Sequence, residues 1–214
     1  MAAPSLFERS RIMSIYTKKM KTPFPYNGET YEELTFDFDK LRGKDGIDIE
    51  NELLTQTEVV LYPILSPEYM TRFISKACEQ PIGFDGFQQM SYVDYKPILE
   101  RATKCLQNYG TTETDGWIVE YTFKEPVTYG DKTYESMTFD FGTVTVADTI
   151  EADRAMRNAS SVFVLVKDYN AEYAINIAAR CCNERVDAAF FRALPYPDYE
   201  AIRRAVRDFL TEAE

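Results

Sequence analysis

Leu34, Phe36 and Phe38 alternate with Glu33, Thr35 and Asp37. This period of two predicts a strand with one buried face. Met137, Phe139 and Phe141 repeat the alternation, and the whole stretch 30–38 returns as 133–141, an offset of 103 residues. Each copy follows a hairpin signal. An extended segment at 14–22 meets Tyr26-Asn27-Gly28-Glu29, and one at 117–125 meets Tyr129-Gly130-Asp131-Lys132. Asn-Gly supplies the positive φ values of a tight type I′ turn. Pro23 and Pro126 sit at matching places near the turns, which suits an edge or loop, because proline cannot donate to a ladder.

Helical spacing follows each hairpin. Asp45 and Asp148 precede acidic stretches at 47–54 and 149–157, and an aspartate there caps free N–H groups and complements the dipole. The acids Asp48, Glu50 and Glu52, like Glu151 and Asp153, read as a solvated face. Ser66-Pro67-Glu68 combines a cap, a proline at the first helical position and an acid. It opens a helix to about Cys78 that buries Tyr69, Phe73, Ile74 and Ala77. The matching helix at 171–182 buries Tyr173, Ile177, Ala178 and Cys181. Short connectors carrying Phe87 and Met90, or Phe191 and Leu194, lead to a last helix in each copy. Tyr95, Ile98, Ala102, Cys105 and Leu106 form one stripe, and Tyr199, Ile202, Val206, Phe209 and Leu210 the other. Pro97 predicts that the first of these begins at about Asp94. Residues 162–166 fit either a strand or a buried helical segment.

The echo runs on through Glu68-Tyr69 and Glu172-Tyr173, Cys78 and Cys182, and Tyr92-Val93-Asp94-Tyr95 and Tyr196-Pro197-Asp198-Tyr199. So long a period is the size of a small domain and not of a solenoid repeat. The expected fold class is α+β: two similar units, each an N-terminal β-hairpin followed by about three α-helices. Residues 1–13 read as an arm, 14–107 as the first repeat, 108–116 as a linker and 117–214 as the second repeat.

Composition narrows what such modules do. The formal net charge is −11 and the lysines and arginines are scattered, which argues against a nucleic-acid groove or an anionic membrane as partner. There is no apolar run of bilayer length, and residues 1–5 lead to charge and not to a signal-peptide core, so a cytosolic protein is expected. Histidine is absent, and Cys78, Cys105, Cys181 and Cys182 form no C-x-x-C pair. Reduced, buried thiols are expected, with no metal, no cofactor and no catalysis, since the commonest general base is missing and no phosphate-loop, nucleophile-elbow or dinucleotide motif occurs. Asp37 with Asp39 could face a hard cation, but position 142 in the second copy is glycine. Solvated strand carboxylates are the simpler reading. Tyrosines combine a flat apolar body with a polar tip, so Tyr31, Tyr92, Tyr95, Tyr134, Tyr196 and Tyr199 are the candidate partner-binding residues.

The order of these features resembles the tail assembly chaperones of tailed bacteriophages. A strand reading Tyr-Glu-Glu-Leu-Thr-Phe, then Leu41-Arg42-Gly43, an acidic helix and a closing helix with Asp198-Tyr199, Val206 and Phe209-Leu210 carry the resemblance. It covers each repeat nearly end to end, through short motifs that gain weight by occurring twice in order. The chain departs from the family in being a tandem duplication, in carrying Asp37 and Asp140 where the family has a basic residue, and in lacking Leu-Arg-Gly in the second copy. The resemblance implies a non-enzymatic factor in the host cell cytoplasm, absent from the mature virion. Such a factor binds and solubilises the tape measure protein and helps recruit tail tube subunits. It also implies self-association, with the two fused units imitating a dimer of single-domain relatives. The rival readings are an acidic phage-encoded inhibitor or decoy that binds a host protein, and a structural tail subunit that self-assembles.

Overall fold

A computed structural model describes residues 15–56, 62, 65–159 and 167–211. The arm at 1–13 and the ambiguous stretch 162–166 lie outside the described residues. The architecture is α+β, and each sequence repeat opens on an antiparallel hairpin followed by helices. The first repeat contains β1 (Ile15–Tyr26), β2 (Glu29–Asp37), α1 (Gly43–Thr55), α2 (Pro67–Ala77), α3 (Phe84–Gln89) and α4 (Tyr92–Leu106). After a strand β3 (Thr111–Asp115), the second contains β4 (Ile118–Tyr129), β5 (Lys132–Asp140), α5 (Val146–Ala159), α6 (Ala171–Cys181), α7 (Ala188–Ala193) and α8 (Tyr196–Thr211). No helix among the described residues is long and apolar enough to cross a membrane.

The repeats match in local detail. Asn27 and Gly28 take φ of 51° and 84° in the first hairpin turn, the backbone that an Asn-Gly pair permits at low cost. The ladder loses register between Lys19 and Phe24, and again between Thr122 and Val127, so Pro23 and Pro126 fall in irregular stretches. Phe36 bridges Cys78, and Phe139 bridges Cys182. Ser66 caps α2 through the Tyr69 N–H, and Asn170 caps α6 through the Tyr173 N–H. Phe36 stacks on Phe38 and contacts Phe87, while Phe139 does the same with Phe141 and Phe191.

Three local expectations change. Residues 108–116 are not a bare linker: β3 pairs antiparallel with β4 and makes a three-stranded sheet in the order β3-β4-β5. All five of its residues are exposed, so no apolar alternation marks it, and its threonines and acids make a polar edge that discourages further pairing. Asp45 and Asp148 lie inside the first turn. They accept the Arg42 and Thr145 N–H groups at 2.9 and 2.8 Å, the acidic half of a capping box. Helix α4 begins at Tyr92, with Pro97 inside it. The carbonyl left without its donor is that of Val93, an exposed residue of the first turn, where water can satisfy it.

The compact units do not follow the repeats. Unit 1 comprises β1, β2, α2, α3 and α4, whereas α1 belongs to unit 2. In unit 1, Leu34, Phe36, Phe38, Phe73, Ile74, Phe87 and Ile98 fill the core. In unit 2, Met137, Phe139, Phe141, Tyr173, Ile177, Phe191, Ile202 and Val206 do the same, and α1 packs on α6, α7 and α8. The second repeat's own acidic helix, α5, packs on α6.

Candidate functional site

Unit 2 accepts a helix, and the way it does so defines a binding face. Chain entering α1 pairs Arg42 with Pro195, and the Gly43 N–H donates to the Leu194 carbonyl at 3.0 Å. A Cβ at position 43 would lie 2.5 Å from the Phe191 carbonyl oxygen and 2.7 Å from the Tyr199 ring. Only glycine permits so close an approach. Two turns on, Glu50 accepts from the Arg203 guanidinium and, at 3.3 Å, from the Ala171 N–H that opens α6. Arg203 also reaches Glu200 at 3.3 Å and the Tyr169 carbonyl at 2.8 Å. Gly43, Ile47, Glu50 and Leu54 follow i, i+4, i+7, i+11 spacing on one side of α1, and all four are buried. Glu50 is therefore part of an interior ion cluster and not of a solvated face.

Two carboxylates share one guanidinium here. Burial pushes the Glu50 pKa up to about 7; Arg203 opposes the shift and Glu200 adds to it. A carboxyl raised above its ordinary 4.5 stabilises the fold fully below that value and loses the contribution as pH climbs through 7. Glu50→Gln should flatten this dependence. From pH 5 to pH 8 the wild-type chain should lose up to about 3 kcal/mol relative to the variant, read by denaturant titration at each pH. Parallel curves would show that Glu50 stays charged throughout.

The six candidate tyrosines separate by fate. Tyr196 and Tyr199 are buried, Tyr199 at 1% exposure, so neither presents a surface for an outside partner; Tyr199 is already taken up by α1. Burial raises the Tyr199 pKa well above the usual range, and its hydroxyl has no hydrogen-bond partner. Tyr199→Phe should leave stability unchanged or raise it by about 1 kcal/mol; a loss of that size would reveal a missed partner. Tyr134 is half-buried, packed edge-on to Phe190 at 5.1 Å between centroids, and Tyr31 is half-buried on β2. Tyr92 is 66% exposed beside exposed Val93, while Tyr95 is half-buried with its hydroxyl 2.9 Å from that of Thr71.

The two repeats thus use equal sequence unequally. Positions 92, 95, 96 and 99 correspond to 196, 199, 200 and 203. In unit 2 all four are buried; in unit 1 Tyr92 and Lys96 are exposed and Tyr95 and Leu99 half-buried. Leu65, 74% exposed, and exposed Pro67 extend the same face at the start of α2. Sequence reasoning missed Arg203, Glu50 and Gly43 as the helix-holding set. Its one available signal was a helix, 43–55, apolar on more than one side.

The remaining polar candidates have local duties. Asp37 accepts the Asp39 N–H at 3.0 Å and Asp140 the Gly142 N–H at 3.1 Å, so both aspartates close turns at strand ends. Among the described residues no three His, Cys, Asp or Glu side chains gather as a metal set. The four cysteines are free thiols; burial raises Cys78 to about 11 and Cys181 and Cys182 to about 12, which keeps them protonated and poorly nucleophilic. Comparison with protein-family models, with curated proteins and with solved structures returns no match.

Proposed function

We propose that this chain is a tail assembly chaperone of a tailed bacteriophage. It holds apolar helical segments of the tape measure protein in the host cytoplasm, helps recruit tail tube subunits and performs no chemistry of its own. One observation carries the reading: a module of this repeat buries an amphipathic helix, α1, on its α6–α8 face, and the corresponding face of the first repeat presents Leu65, Tyr92 and Val93 to solvent. Helix-in-groove capture of this kind shields apolar anchors, and a net charge of −11 keeps the loaded complex dispersed. Acid-rich surroundings also suit a client with basic flanks.

Co-expression with the neighbouring genes of its source genome, followed by pull-down, is the direct test. A long, helix-rich protein, insoluble alone and recovered soluble with this chain, is the expected result. Tyr92→Glu should lower that recovery about tenfold or more without changing the melting temperature, because the side chain is mostly in water. No such protein recovered, together with a salt-sensitive complex with a basic host protein, would replace the chaperone by the acidic-decoy reading.

A further inference from the structure

Helix α1 is an addition to unit 2. The second repeat supplies a full set of elements by itself, the β4–β5 hairpin with α5, α6, α7 and α8, while α1 comes from the first repeat and continues through Leu41 into unit 1. Backbone ties it to unit 2 at its start, through the Arg42–Pro195 bridge and the Gly43 N–H on Leu194. Further along it is held by charge. Around Glu50 stand Arg203, Glu200 and Tyr199 of α8 and the Ala171 N–H of α6. Glu172 of α6 completes the set, bound on both oxygens by Arg192 of α7. Arg192 is thus committed to Glu172, and Arg203 serves Glu50 and Glu200 together. The Tyr199 hydroxyl makes no hydrogen bond, so it does not supply the missing donor.

We infer that α1 is a releasable latch: it leaves the α6–α8 face while the second repeat stays folded, and the charge state of Glu50 sets how often it does so. With Glu50, Glu172 and Glu200 all ionised against Arg192 and Arg203, the cluster carries one negative charge in excess, and a single proton balances it. Seated, Glu50 keeps that proton up to about pH 7, whereas its ordinary value in water is 4.5. The seated state is therefore favoured fully below 4.5, loses ground as pH rises from there through 7, and is weakest above it. Between pH 5 and pH 8 release should become about 50-fold more frequent. Release uncovers the Phe191 carbonyl and the Tyr199 ring against which Gly43 lies, with Arg203 two turns further on. The helix that fits there is specified by α1 itself: a small residue, an apolar one four positions on, a carboxyl or carboxamide seven on and an apolar one eleven on. Under the chaperone proposal this face is a second seat for a client helix, shut by a helix of the same chain. That use rests on the chaperone reading; the release does not.

Amide hydrogen exchange of the purified full-length chain, followed by mass spectrometry between pH 5 and pH 8 and corrected for the intrinsic effect of pH, tests the latch with no client present. At pH 8 the amides of 47–55 should be at least about tenfold less protected than those of α6 and α8, as expected of a helix that opens by itself. Their protection should fall about 50-fold from pH 5 to pH 8. In Glu50→Gln it should stay level, because the amide does not titrate. Equal protection of α1, α6 and α8 at pH 8 overturns the inference, since α1 then leaves only when the whole unit unfolds. So does wild-type protection of α1 that ignores pH, or a fall of the same size in Glu50→Gln. The wild-type profile decides even where the variant seats α1 poorly. Release observed alongside an empty pull-down supports the latch and removes the chaperone reading alone.

Discussion

Replacing Arg203 with methionine is expected to destabilise unit 2 by about 3–5 kcal/mol. The guanidinium touches Glu50, Glu200 and the Tyr169 carbonyl, and all three charged residues are buried. Without it two carboxylates remain in the interior with no cation between them, and Glu50 keeps only the Ala171 N–H. Desolvation then dominates, and protonation relieves only part of it. Equilibrium denaturation gives the loss, and amide exchange over residues 43–55 locates it, since α1 should become the least protected helix of unit 2. Adding Glu50→Met together with Glu200→Met should recover most of the deficit, because apolar side chains of similar volume then replace the whole ion cluster at little net cost. A single-variant loss below about 1 kcal/mol would mean that packing alone retains α1.

Lys18→Met is the counterpart in unit 1. The Lys18 ammonium lies 2.6 Å from the Asp94 carboxylate, which also accepts the Lys21 N–H at 2.9 Å. At the equivalent place in unit 2 the partner of Asp198 is the Tyr121 hydroxyl, with the Gly110 N–H nearby. One aspartate is thus paired with a cation and the other with neutral donors. Burial alone raises the Asp94 pKa, but the bonds from Lys18 and Lys21 outweigh it and hold the carboxyl below its ordinary 3.8. For Asp198 burial prevails over the Tyr121 and Gly110 bonds, and the pKa is raised. Removing Lys18 strands a buried charge and should destabilise unit 1 by about 3 kcal/mol at neutral pH. Tyr121→Phe should cost about 1–2 kcal/mol, because Asp198 takes up a proton more readily.

The sign of the pH effect separates the two sites. A depressed carboxyl contributes stability above its unfolded pKa and loses it as pH falls through the folded value. The Lys18→Met deficit should therefore shrink on strong acidification, once Asp94 is protonated in both proteins. A deficit constant from pH 7 to pH 2 would assign it to packing of the lysine stem.

Much of the fold is written locally. The Asn-Gly turn, the Ser66-Pro67-Glu68 start and the alternation at 34–38 each act over a few residues, so their physics is complete in the sequence. The repeat made those readings reinforce one another. What escaped was tertiary choice. Tyr92-Val93-Asp94-Tyr95 and Tyr196-Pro197-Asp198-Tyr199 read alike, yet α1 covers Tyr199, while Tyr92 stays open. That difference is set by Arg203 against Leu99 and Gly43 against Val146, single positions whose meaning depends on a helix about 150 residues away in sequence. Residues 111–115 failed for a related reason. A strand whose five side chains all face water carries no burial pattern, and only the open edge of β4 makes it a strand.

The membership of α1 in unit 2 has a consequence for biosynthesis. A ribosome that has released residues 42–61 has not yet made α6, α7 or α8, so Ile47 and Leu54 emerge long before their permanent cover exists. Unit 1 can close around the gap, from 15–41 and 62–107, while this helix waits as a tethered loop. Contacts of such long sequence separation form late, and the nascent chain passes through a stage in which it is itself a client in need of shielding.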